Sequence, residues 1–303
     1  MDQKQIDTLV DMIVAEIQRQ GLASTRSAPP PSPAGRGAGS GDSLTLDLPD
    51  LTIPELRQRA YIHKPVKPDA LRVLMATTSA RIGIGRTGPR YRTTPQLLFW
   101  SDHAVTQDAL FKEIDPALLK QFNLFEVQTK AKDRQEYLLR PDLGRQLSDQ
   151  AKATLAQKCV KQPDVQLYVA DGLAATAIEH NLRDMYPVIQ QGLQQAGLKM
   201  GTPFYVKYGR VGLMNDVNAI VDAKVVVTLI GERPGLGRAE SMSAYMGYRP
   251  QPDSTDADRD VVCNIFNGGA NPLEAGAYVV EFIKKMIQNQ ASGVKLKLKS
   301  TEK

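Results

Sequence analysis

The stretch Ala223-Lys224-Val225-Val226-Val227-Thr228-Leu229-Ile230-Gly231-Glu232-Arg233-Pro234-Gly235-Leu236-Gly237-Arg238 decides how this chain folds. Its first half is an apolar, β-branched run, short enough to be a buried strand of a mainly parallel sheet. Its second half breaks into three glycines and a proline, which delivers backbone to one edge of that sheet. Open α/β sheets hold ligands beyond the carboxyl ends of their strands, so the segment reads as a ligand or partner loop. Gly235 and Gly237 carry no side chain and let a large flat ligand approach the main chain closely. The loop is not a dinucleotide fingerprint, because Glu240 stands where the third glycine belongs, and no Gly-Lys-Ser/Thr phosphate loop occurs in the chain.

Working outward, Asp164 to Gln290 alternates strands with helices. Val165–Ala170 is a strand ending in Asp171-Gly172-Leu173, and Met185–Ala196 is a helix ended by Gly197. Pro203–Tyr208 is a second strand, Val217–Asp222 a short helix, Val225–Gly231 a third strand, Ser243–Tyr248 a fourth, and Leu273–Gln290 a closing helix. This alternation predicts an α/β fold with a doubly wound, mainly parallel, Rossmann-like sheet. The loops Asp171-Gly172, Gly209-Arg210-Val211 and Glu232–Gly237 should gather on one edge.

Upstream, Leu44 to Gln157 looks helical and basic. Helical spacing covers Pro68–Ala80 and Pro95–Glu113, and Arg140-Pro141-Asp142-Leu143-Gly144-Arg145 opens a further helix with proline at an early position. Between the first two lie Arg81, Arg86, Arg90 and Arg92 among glycines. Guanidinium forks of this kind match phosphates or carboxylates. The irregular spacing favours pairing with carboxylates of a neighbouring subunit.

At the N-terminus, Ile6, Leu9, Val10, Ile13, Val14 and Ile17 form one apolar stripe at helical spacing. Its charge is acidic on balance, unlike a signal peptide or a basic membrane-binding helix. A Ser/Pro/Gly/Ala-rich linker follows. The expected organisation is a tethered helix at 1–20, a disordered linker at 21–43, a helical region at 44–160, an α/β domain at 161–293 and a basic tail at 294–303.

The 303 residues are 42% hydrophobic and 23% charged with a formal charge of +5, which fits a soluble globular protein and is weak evidence for nucleic acid. No apolar run is long enough to span a bilayer. Two cysteines, Cys159 and Cys263, are too few for a disulfide framework or a zinc cluster and point to a reducing, cytoplasmic setting. Both read as buried small residues. His63, His103 and His180 lie far apart with no metal-ligand spacing, and Asp102-His103 reads as the outer face of a helix. No catalytic triad or metal site emerges. Glu232 is the best acid, either facing a cleft or pairing with a neighbouring arginine.

The motif Gly231-Glu-Arg-Pro-Gly-Leu-Gly237 with Glu240-Ser241, and Gly201-Thr-Pro-Phe-Tyr-Val-Lys-Tyr-Gly-Arg-Val211 upstream, resembles the small (light) subunit of ethanolamine ammonia-lyase. Asp171-Gly172-Leu173, Gly88-Pro89-Arg90, Arg140–Arg145, Ala257-Asp258-Arg259 and the opening Met-Asp-Gln-Lys-Gln extend the resemblance to about Gly293. The resemblance implies an adenosylcobalamin-dependent ammonia-lyase, a radical enzyme converting ethanolamine to acetaldehyde and ammonia and active only with its large subunit. It also implies that the large subunit, a TIM barrel, holds substrate, while the small one contributes no catalytic residue and covers the cobalamin. Cofactor contacts carry over to Val211, Glu232 and Val261; at the third position relatives are expected to carry cysteine, which here stands at 263. Six large and six small chains in a hetero-oligomer follow from the same resemblance. So does a cytoplasmic location in the lumen of a bacterial microcompartment, with residues 1–20 targeting a shell protein. A stand-alone Rossmann-like nucleotide-binding or scaffold module is the alternative.

Overall fold

A computed structural model describes residues 53–57, 59–78, 80–236 and 238–301. The N-terminal helix, the linker, Gly237 of the glycine-rich loop and the last two residues of the basic tail lie outside the described residues. The chain divides into two compact units, one ending at Asp102 and one beginning at His103.

The first unit contains α1 (Pro54–Arg57), α2 (Pro68–Ala76) and a hairpin of β1 (Arg86–Thr87) and β2 (Arg90–Tyr91), turned at Gly88 with φ +60°. Two expectations are corrected here. Arg81 pairs with Asp102 of its own chain and not with a carboxylate of a neighbouring subunit, while the Arg86 guanidinium lies 4.9 Å from the centre of the Tyr91 ring. Asp102, expected on an outer helix face, is buried, because its charge is matched by Arg81. The helix that carries it is α3 (Thr93–Phe111).

The second unit runs α4 (Pro116–Gln121), β3 (Phe125–Gln128), α5 (Arg134–Leu139), α6 (Asp149–Lys158), β4 (Val165–Ala170), α7 (Ala175–Gln195), β5 (Phe204–Lys207), α8 (Leu213–Val221), β6 (Val225–Gly231), β7 (Met242–Tyr248), β8 (Arg259–Ile265), α9 (Pro272–Asn289) and α10 (Gly293–Thr301). Its six-stranded sheet has the order β3-β5-β4-β6-β7-β8. The first four strands are parallel, and β7 and β8 add to them antiparallel. The α/β, mainly parallel expectation therefore holds.

Three details differ. Phe125–Gln128 is an edge strand inside a stretch read as helical, since four residues carry no measurable periodicity. Arg140–Arg145 does not open a helix. It ends in a single 3-10 turn at Leu143–Arg145, and α6 starts four residues later, capped by the Ser148 hydroxyl accepting from Ala151 N at 3.2 Å. Helix α7 begins ten residues before Met185 and carries Pro187 inside it, where proline usually breaks a helix. At its other end Gly197, with φ +68°, stops it as expected.

Both faces of β6 are buried, which is why it reads as a continuous apolar run. On one face Val225, Val227 and Leu229 join Ile178, Leu182, Met185 and Ile189 of α7 and Val279, Ile283 and Met286 of α9. On the other, Val226 and Ile230 pack with Ala151 and Leu155 of α6 and Leu213, Met214, Val217 and Val221 of α8. Each such aliphatic side chain contributes about 1.5–3 kcal/mol on burial.

The second face is legible as a row across the sheet. Strand register aligns Phe125, Phe204, Tyr168, Thr228, Tyr245 and Val261. Aligned residues share a face of the pleat. After partly buried Phe125 the row is buried from Phe204 to Thr228, with Phe204 stacked 5.4 Å from Tyr168. It then emerges: Tyr245 is half-buried and Val261 is 45% exposed. Helices α6 and α8 thus cover the parallel strands, and on β7 Ser243 and Gly247 stay buried to either side of Tyr245, so this face opens at Tyr245 and along β8. The segment read as a basic tail begins with α10, anchored by buried Leu296 and by Lys295 3.3 Å from Asp258.

Candidate functional site

The carboxyl edge of the parallel strands is tied together by Asp171, the residue following β4. Its buried carboxylate accepts hydrogen bonds from Tyr208 N at 2.7 Å and Gly209 N at 3.4 Å. Arg134 donates to the other oxygen at 2.7 Å and to Gly172 O at 2.7 Å. The guanidinium lies 5.3 Å and 5.0 Å from the Tyr137 and Tyr208 ring centres. Burial pushes the Asp171 carboxyl up to about 6, against the lowering pull of Arg134 and the two backbone donors. Tyr208 sits in the left-handed region with φ 62°, a strained position for a tyrosine, and Asp171 holds its amide there.

Two glycines bring the ends of β4 and β6 into backbone contact. A Cβ on Gly231 would lie 2.1 Å from Ala174 O, and one on Gly172, with φ +55°, would lie 2.2 Å from Gly231 O. Leu173 N donates to Gly231 O at 3.0 Å. The three loops expected on one edge therefore do meet there. Asp171 and Arg134 were given no role from sequence. Asp171 does stand directly after a buried strand, whereas Arg134 lies 37 residues upstream in a helix with no signal.

Beyond Gly231 the glycine-rich loop bounds a cleft of about 460 Å³ lined by Glu232, Glu240, Ser241, Tyr245, Cys263 and Phe266, among others. The loop closes at its base through Glu232 N donating to Ser241 O at 3.0 Å. Side-chain donors pin its carbonyls. Thr106 bonds Gly235 O at 2.9 Å, Thr176 bonds Ala239 O at 2.7 Å and Asn181 bonds Glu240 O at 2.7 Å. The loop leads into antiparallel β7 and not into a helix, so the phosphate site of a nucleotide-binding strand–loop–helix is not built here.

Glu232 is half-buried and accepts a hydrogen bond from the Tyr245 hydroxyl at 3.3 Å. Among the described residues no lysine or arginine forms an ion pair with it, so the arginine-pairing alternative is not what the fold builds. Burial, then the Glu232 charge, pushes the Tyr245 phenol up to about 12, so it stays a donor. Val261 lies across from Tyr245 on β8, and Cys263 two residues on shares its face. Cys263 is exposed, which corrects the expectation of a buried small residue, whereas Cys159 is buried as expected, with its thiol pushed up to about 11 by that burial. Val211 stands apart from the cleft lining, where β5 gives way to α8, partly buried against the same cluster that Tyr245 packs on. Sequence reasoning missed Tyr245, whose run Ser243–Tyr248 reads only as a strand. Among the described residues no group of His, Cys, Asp and Glu is arranged to hold a metal ion.

Sheet and cleft together define an open α/β protein whose accessible cleft sits at the carboxyl edge, beside a face of the sheet that opens at Tyr245 and β8. The family model described as ethanolamine ammonia-lyase light chain (EutC) matches residues 68–297, and the chain belongs to that family. Membership makes it a small subunit of a lyase and implies a large partner subunit. No helix of the described residues is long and apolar enough to cross a membrane.

Proposed function

We propose that this chain helps bind and cover adenosylcobalamin in the conversion of ethanolamine to acetaldehyde and ammonia, while the large subunit holds the substrate. The observation that carries the reading is the open face at Tyr245 and β8, where Glu232, Tyr245 and Cys263 line the cleft and Val261 stands across from Tyr245. The donor set fits a flat macrocycle rimmed by primary amides. Val261 and the Tyr245 ring offer apolar surface, and the Glu232 carboxylate accepts N–H groups. Val211, where β5 gives way to α8, adds a further aliphatic contact.

When bound, the cofactor supplies the radical chemistry that this deamination needs. The chain's own residues bind, orient and exclude water: the pinned loop keeps Glu232 at the cleft, and the Asp171–Arg134 tie holds the loop that carries Val211. The assembly is a hetero-oligomer of six large and six small chains, and residues 1–20, on the linker 21–43, dock it to a microcompartment shell.

The test is ethanolamine turnover with adenosylcobalamin by the purified full chain, alone and mixed with its large subunit. Activity is expected only in the mixture. Turnover by the chain alone would overturn the division of labour.

A further inference from the structure

Glu232 is held in an unusual way for a carboxylate at a ligand edge. It has no cationic partner among the described residues, and its only hydrogen bond to a side chain comes from the Tyr245 hydroxyl on Oε1. Oε2 accepts no hydrogen bond within the described residues. Tyr245 reaches Glu232 because β6 and β7 are antiparallel neighbours, and its ring is fixed by the row that joins Thr228 to Val261.

We propose that Tyr245 is a positioning residue for Glu232: its hydroxyl occupies Oε1 and reserves Oε2 for an amide donor on the rim of the bound ligand. The inference rests on the reading of Glu232 as a cofactor contact. The 3.3 Å contact is longer than the usual O–H···O distance of about 2.7–2.8 Å, so it steers the carboxylate more than it stabilises it. Elevation of the phenol by burial and by the Glu232 charge keeps the proton on Tyr245 across the working pH range. Phenylalanine would fill the same space and remove only the steering bond.

The experiment is a double-mutant cycle in the complex with the large subunit, titrated with adenosylcobalamin and read from the visible spectrum. Tyr245→Phe should weaken cofactor binding about threefold to tenfold, the loss of one modest hydrogen bond. Glu232→Ala, which removes the acceptor, should weaken binding as well, and adding Tyr245→Phe to it should cost nothing further. An effect of Tyr245→Phe that persists in full on the Glu232→Ala background would mark independent packing and overturn the proposal, as would unchanged binding in Tyr245→Phe. If Glu232→Ala alone binds normally, the cofactor reading of Glu232 fails first and takes the proposal with it.

Discussion

Replacing Gly231 with alanine tests the backbone contact on which the whole edge is built. The new Cβ would lie 2.1 Å from Ala174 O and 2.5 Å from Asp171 O, both main-chain atoms that no rotamer change can move aside. Relief needs the β4–α7 turn to retreat by about 1 Å, which also strips Gly231 O of its bond from Leu173 N. Overpacking of this kind costs about 1–3 kcal/mol and the lost hydrogen bond about 1 kcal/mol more, for a total of about 2–4 kcal/mol. Gly235→Ala is the control, because its nearest non-neighbour atom is Arg238 O at 3.9 Å and its cost should stay within about 0.5 kcal/mol. Urea unfolding of the full chain followed by circular dichroism measures both. A Gly231→Ala transition no weaker than that of Gly235→Ala would refute the reasoning.

Other expectations can be checked alongside. Because burial holds Asp171 above its ordinary value of 3.8, its contribution to stability is intact below about pH 4 and is lost as pH rises through about 6. The stability difference between wild type and Asp171→Asn should therefore shift in favour of asparagine over that window, and a flat difference in denaturant titrations at pH 4, 5, 6 and 7 would contradict it. Tyr137, Tyr168, Tyr205 and Tyr245 are all raised by burial, so phenolate absorbance should show tyrosines that ionise only beyond the ordinary range, together with unfolding. Asn181→Ala leaves Glu240 O without its side-chain donor and should cost about 1–3 kcal/mol while speeding hydrogen exchange in residues 232–241; unchanged exchange would show the pin to be dispensable. Residues 1–20 fused to a fluorescent protein should form puncta in cells making a microcompartment shell, and Ile6→Glu with Leu9→Glu should disperse them. Diffuse signal from the unmutated fusion would count against docking.

What the sequence revealed and what it hid follow from how local each signal is. Strand β6 was legible because burial on both faces writes an unbroken apolar run, and the glycines after it marked the edge. The three loops were placed together because a parallel sheet aligns the carboxyl ends of its strands. Strand β3, at four residues, is too short to show a period, and β8 alternates buried Asp260 with exposed Val261, a pattern that mimics a loop. The Asp171–Arg134 tie and the Glu232–Tyr245 contact join residues 37 and 13 apart in sequence, and no local pattern encodes either. Cys263 was misjudged for the same reason: its exposure depends on where α6 and α8 stop covering the sheet.

The central claim is that the open face at Tyr245 and β8 carries the cofactor. Val261→Glu tests it most directly, since the side chain is already 45% exposed and a charge there should leave the fold and the assembly with the large subunit intact. Cobalamin titration of the reconstituted complex should show affinity weakened by about tenfold or more, the loss of an apolar contact and the burial of a charge against the ligand. Undiminished affinity in a fully assembled Val261→Glu complex would place the cofactor elsewhere.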